Sequence, residues 1–210
     1  MPGLPNHRTL VVGRNVVPDA ENTVPLPASP SKGRSLLPHG GNDRIYTPDA
    51  LARDIVSHFR PAGRILEPAA GDGAFVRALP PCDWCEIDKG MDFFACRDHY
   101  DWIITNPPYS LFTRFLRKSL ESADNIVFLC PISAWFQRAR ERAIKEAGFN
   151  IVEICRVPVP PPPWPQFGLS LAATWLRRGW LGSMSSTRLP SQLWSLNGGD
   201  KMVVLEEVES

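Results

Sequence analysis

The chain has 210 residues, 23 basic and 22 acidic, for a net charge of +1. That length suits one domain able to bury most of its surface without a metal or disulfide staple, and the charge balance excludes a uniformly basic nucleic-acid binder. No apolar run is long enough to cross a bilayer and the five cysteines are irregularly spaced, so the expectation is a reduced, cytoplasmic protein with no membrane partner. Residues 1–43 hold seven of the 22 prolines, scattered among Gly, Ser and Asn, and read as a flexible leader. Next, Thr47 as N-cap and Pro48 as first helical residue introduce an amphipathic helix with Leu51, Ile55, Val56 and Phe59 on one face. His58, beside that stripe, reads as a helix-end residue.

A short strand then runs from Arg64 to Glu67 and ends in Pro-Ala-Ala-Gly71-Asp-Gly73, ahead of a second helix. Gly71 and Gly73 let the backbone bend sharply and approach a ligand without a Cβ in the way. The next strand, Asp83 to Ile87, carries Glu86 and Asp88 at its end, and an acid there suits the two hydroxyls of a ribose. Val76 stands where a dinucleotide fold would have its third glycine, which argues against a dehydrogenase. Cys82 and Cys85 form an isolated C-x-x-C and read as buried thiols rather than a zinc half-site, so no metal is expected.

Asp101-Trp-Ile-Ile-Thr-Asn-Pro-Pro-Tyr109 organises the remainder. Trp102 to Thr105 has strand composition, and Pro107 and Pro108 cannot donate to a ladder, so a rigid polar turn follows a strand end. Asn106 offers an amide oxygen and Pro107 a carbonyl; two convergent acceptors suit an exocyclic amine with two N–H bonds. Tyr109 adds a flat face on which a planar ring could stack. Beyond it come a helix around Leu111 to Leu120, an apolar strand Asn125 to Cys130, a helix Ala134 to Ala147, a strand Phe149 to Val157, a polyproline-like segment 158–165 with Trp164 and then Phe167, and a closing strand Leu169 to Leu176. Residues 181–210 read as an extension, packed or disordered.

In this order, the helix, Glu-Pro-Ala-Ala-Gly-Asp-Gly, Glu-Ile-Asp, Asp92-Phe93 and Asn-Pro-Pro-Tyr motifs resemble an S-adenosylmethionine-dependent adenine-N6 DNA methyltransferase over residues 44 to about 178. The resemblance implies a doubly wound, mostly parallel, seven-stranded Rossmann-like α/β sheet with a final antiparallel strand, over a domain 44–180. It also implies S-adenosylmethionine as cofactor. By the same resemblance Glu67, Gly71 and Gly73 line its methionine part, with Tyr46 and Thr47 touching that end. Glu86 holds the ribose, Asp92 and Phe93 hold the adenine, and Asn106, Pro107, Pro108 and Tyr109 form the catalytic turn.

The implied partner is nucleic acid, DNA ahead of RNA, in a bacterial or phage-infected cell. Tyr109, Trp164 and Phe167 offer aromatic faces for an extruded base, and Arg114, Arg117, Lys118, Arg138 and Arg142 could hold phosphates; none of these reads a sequence. Spacings between motifs leave no room for a large recognition domain, so specificity is expected to be low or supplied by a partner. Methylation of RNA adenine or of a protein glutamine amide stays open, as does a non-catalytic subunit of a heterodimer.

Overall fold

A computed structural model describes residues 13–15, 45–162, 164 and 170–190. Its core is one eight-stranded sheet built from β1 (Gly13–Asn15), β2 (Ile65–Glu67), β3 (Cys82–Trp84), β4 (Tyr100–Thr105), β5 (Ala123–Pro131), β6 (Phe149–Arg156), β7 (Leu171–Arg178) and β8 (Ser185–Arg188), in the order β1-β3-β2-β4-β5-β7-β6-β8. Strands β3, β2, β4 and β5 run parallel, β7 lies antiparallel between β5 and β6, β8 is parallel to β6, and β1 is antiparallel to β3. The expected mostly parallel centre and final antiparallel strand are therefore present, while the expected number of seven is exceeded.

Both added strands come from stretches read as peripheral. Gly13–Asn15, within the expected flexible leader, pairs with Cys82–Trp84, and Ser185–Arg188, beyond the expected domain end at 180, pairs with Glu153–Arg156. Neither has the alternating apolar pattern of a strand half-covered by a core, because each is an edge held by backbone hydrogen bonds. The other leader residues, 1–12 and 16–43, together with residues 44 and 191–210, lie outside the described part.

Helix α1 (Asp49–Phe59) buries Leu51, Ala52, Ile55, Val56 and Phe59. Pro48 is its N-cap, one position later than expected. Helix α2 (Ala74–Ala78) follows the glycine turn, and α3 (Phe112–Ser122) and α4 (Arg138–Glu146) flank β5. Successive strand residues face opposite sides. Trp175 on β7, paired with Val127 of β5, meets Phe59 of α1, whereas the adjacent Phe128 meets Phe112 of α3. Helices therefore cover both faces, and β5 can be a continuous apolar run, Ile126–Cys130, without contact with water.

The chain moves outward from β2 to β3 and then returns to the other side of β2 as β4. In open α/β sheets such a reversal opens a crevice at the carboxyl ends of the two diverging strands. Glu67 is the last residue of β2 and Asn106 the first after β4.

Candidate active site

On the β2 side, Glu67 is 1% exposed and accepts from the Ala69 N–H at 2.8 Å. Burial pushes its carboxyl up to about 8, with the Thr105 side chain and the Ala69 N–H offsetting part of that and the nearby Glu86 charge adding to it. Gly71 and Gly73 both adopt positive φ, 54° and 93°. A Cβ on Gly71 would stand 3.0 Å from Cδ1 of Tyr46, so the Tyr46 ring lies directly on the glycine turn and the two segments assigned to the methionine end meet. Thr47, next to it, is buried.

Glu86 sits just past β3, which is shorter than expected, and caps a 3₁₀ turn, Ile87–Lys89. One carboxylate oxygen accepts from the Gly71 N–H at 2.6 Å and the other from the Asp88 N–H at 3.1 Å. A carboxylate has about four acceptor positions, so two remain for ligand hydroxyls. The same contact that fixes the glycine turn thereby aims the acid. Asp92 caps a second 3₁₀ turn, Phe93–Ala95, through the Phe94 N–H at 2.9 Å. Phe93 is 2% exposed and packs on Phe94 and Phe115; it is a core ring that supports this turn.

On the β4 side, the Asn106 amide donates from Nδ2 to the Ile45 carbonyl at 3.2 Å. Its Oδ1 is buried and has no hydrogen-bond partner among the described residues. Pro107 is buried and Pro108 half-buried. Tyr109 is also half-buried, its hydroxyl donating to the Leu129 carbonyl at 3.5 Å, and burial pushes the phenol well above its ordinary value. With Phe112, Pro131, Ser133, Ala134, Gln137 and Arg140 it lines a shallow hollow of about 200 Å³.

Two expected contacts, those of Trp164 and Lys118, are corrected. Trp164 is 3% exposed and donates from Nε1 to the Tyr46 carbonyl at 3.2 Å, so its ring is a strut and not a stacking face. Lys118 donates to the Cys96 carbonyl at 2.7 Å, which draws it away from a phosphate role. Arg140 bonds Thr113 and the Ala134 carbonyl and lies over Phe112, again a structural use. Phe167 lies outside the described residues. Sequence reasoning missed the Ile45 and Tyr46 carbonyls that Asn106 and Trp164 grip, because a main-chain acceptor has no residue signature; Trp164, a lone polar-tipped aromatic in a proline run, was the available signal.

Comparison with solved structures agrees with this topology. The M protein of the type I restriction enzyme EcoKI is 12% identical, with a TM-score of 0.50 over 72% of this chain and 50% of its own length. Magnesium protoporphyrin IX methyltransferase from Synechocystis, solved with bound S-adenosylmethionine, is 12% identical with a TM-score of 0.44, over 62% of this chain and 77% of its own. The 23S rRNA methyltransferase ErmE is 17% identical with a TM-score of 0.44, over 64% and 69%. The fold is that of a methyltransferase. The chain spans half the length of the EcoKI subunit. No protein-family model and no curated protein sequence matches.

Proposed function

We propose that the protein transfers a methyl group from S-adenosylmethionine to the exocyclic N6 amine of adenine in DNA, with low sequence specificity. The observation that carries this reading is the buried Asn106 Oδ1, which has no partner among the described residues. Leaving a buried acceptor unsatisfied costs roughly 1–3 kcal/mol, and a substrate amine would supply the missing donor. The Ile45 carbonyl fixes which end of the amide points onward. Asn106 and the Pro107 carbonyl together would accept both N–H bonds of the amine. That favours a more tetrahedral nitrogen and frees a lone pair otherwise delocalised into the ring, so catalysis is mainly orientation and electrostatics.

The residues on the β2 side fit the cofactor. Two carboxylates, Glu67 and Glu86, stand at or just beyond adjacent strand ends, with the Gly71 and Gly73 turn between them. When bound, S-adenosylmethionine supplies an electrophilic methyl group. Glu67, Gly71 and Gly73 with Tyr46 and Thr47 would hold its methionine end, Glu86 its ribose, and Asp92 its adenine, with buried Phe93 supporting the Asp92 turn from the core instead of meeting the adenine as the resemblance implied. Glu67 would lose its proton to become the counter-charge of the amino group.

Incubation with labelled cofactor against DNA, RNA and protein pools tests the reading. Label in N6-methyladenine of DNA, lost in Asn106→Ala, is the expected result. Label confined to RNA adenine or to glutamine amides would replace the substrate, and no transfer to any pool would leave a binding subunit. Mapping methylated genomic sites tests specificity: methylation at one long motif would contradict it and imply a recognition partner.

A further inference from the structure

Resting on that reading and deepening it, we propose that the substrate is a single strand of nucleic acid, led to the Asn106 turn along a strip formed by Phe136, Arg138, Arg142 and Arg117. Helices α3 and α4 carry seven basic and three acidic side chains, a local excess of four in a chain whose net charge is +1. Positive charge is thus concentrated on one pair of adjacent helices. Lys118 and Arg140 are used internally and Arg114 lies over the Phe94 ring. Arg117, Arg138 and Arg142 are exposed and line one groove of about 440 Å³ together with Ala139, Ala143 and Glu146. Glu146 accepts from Arg142 at 2.7 Å, but both side chains are largely in water, so the pair is weak and can yield to a phosphate.

The first turn of α4 is a wall common to this groove and to the hollow beside Tyr109: Arg138 faces the former, Gln137 and Arg140 the latter. Phe136 immediately precedes that turn and is 56% exposed, although its neighbour Trp135 is 1% exposed and packs on Phe112 and Phe128. Buried Trp135 therefore anchors a loop that holds a hydrophobic ring in water, immediately before the first turn of α4. A basic groove beside an aromatic platform is the arrangement that binds unpaired nucleotides, whose bases present a free face for stacking. Tyr109 is half-buried and Trp164 is buried, whereas Phe136, just ahead of α4, is the most exposed aromatic ring among the described exposed large hydrophobics. A duplex keeps its bases stacked on one another and gains nothing from that ring.

Fluorescence anisotropy of the full chain with labelled single-stranded DNA, single-stranded RNA and duplex DNA, over a range of salt, tests the strip. Calorimetry with S-adenosylmethionine runs in parallel. Single strands are expected to bind at least about tenfold tighter than duplex. Phe136→Ala should weaken them by roughly five- to a hundredfold, and R138A/R142A should reduce the log–log salt slope by about 1.4. Cofactor affinity should be unchanged in both variants, and the tighter of the two single strands identifies the sugar. Tighter duplex binding, or wild-type strand affinity in both variants, would overturn the proposal. Strand binding that the variants weaken, with no adenine methylated, would instead overturn the methyl-transfer reading and leave the strip standing.

Discussion

Asn106 Nδ2 donates to the Ile45 carbonyl at 3.2 Å, joining the turn after β4 to the segment that precedes α1, 61 residues earlier. This bond commits the donor end of the amide to the protein and leaves the buried Oδ1 without a partner among the described residues. Asn106→Ala removes both. We expect cofactor affinity to stay within a few-fold of wild type and the transfer rate to fall by roughly 10²- to 10³-fold, as when one preorganised polar contact is lost. Single-turnover transfer and calorimetry measure the two quantities separately, and near-normal turnover would refute the assigned role.

Trp164 grips the neighbouring carbonyl of Tyr46. Trp164→Phe keeps most of the packing and deletes the hydrogen bond, so stability should fall by about 0.5–1.5 kcal/mol. Because Tyr46 lies on Gly71, the loss should also appear as weaker cofactor binding. Denaturant unfolding with and without S-adenosylmethionine distinguishes the effects: an equal loss in both would mean that Trp164 supports only the fold.

Glu86 fixes the Gly71 turn and is the residue proposed to hold the ribose. Glu86→Ala should therefore abolish measurable cofactor binding, while Glu86→Gln, which retains an acceptor for the Gly71 N–H, should keep the fold and lose about tenfold in affinity. Calorimetry of the two variants decides, and wild-type affinity in Glu86→Gln would move the ribose contact to another residue, Asp88 first.

Sequence alone made the centre of the sheet legible because each central strand is a short apolar run closed by a glycine or proline turn. The motifs also put Glu67 at the end of one strand and Asn106 directly after another, and that is where β2 and β4 hold them. Edge strands β1 and β8 were not legible: Gly13–Asn15 and Ser185–Arg188 join the sheet through backbone bonds that any polar sequence can make. The direction in which an aromatic faces was equally hidden. Trp164 reads as a base platform and is buried through a bond to Tyr46, 118 residues away, whereas Phe136 is exposed because its neighbour Trp135 takes the core position.

Glu67 gives the protein a characteristic pH dependence. Its carboxyl is raised from 4.5 to about 8 by burial, so between these values the folded state retains a proton that the unfolded chain has released. Stability associated with this group is fully present below about pH 4.5 and is lost as pH rises through about 8, at a limiting slope of roughly 1.4 kcal/mol per pH unit. Glu67→Gln keeps an acceptor for the Ala69 N–H and has no proton to lose. In the absence of cofactor it should therefore be more stable than wild type at pH 8, by up to a few kcal/mol, and nearly equal to it at pH 4.5. Cofactor affinity should move the opposite way. If the amino group of S-adenosylmethionine draws a proton off Glu67, wild-type affinity rises with pH up to about 8 and then levels, while the Gln variant binds weakly with no such rise. Calorimetry in buffers of different ionisation enthalpy counts the released proton, and binding with no proton release at pH 7 would remove Glu67 from the cofactor site.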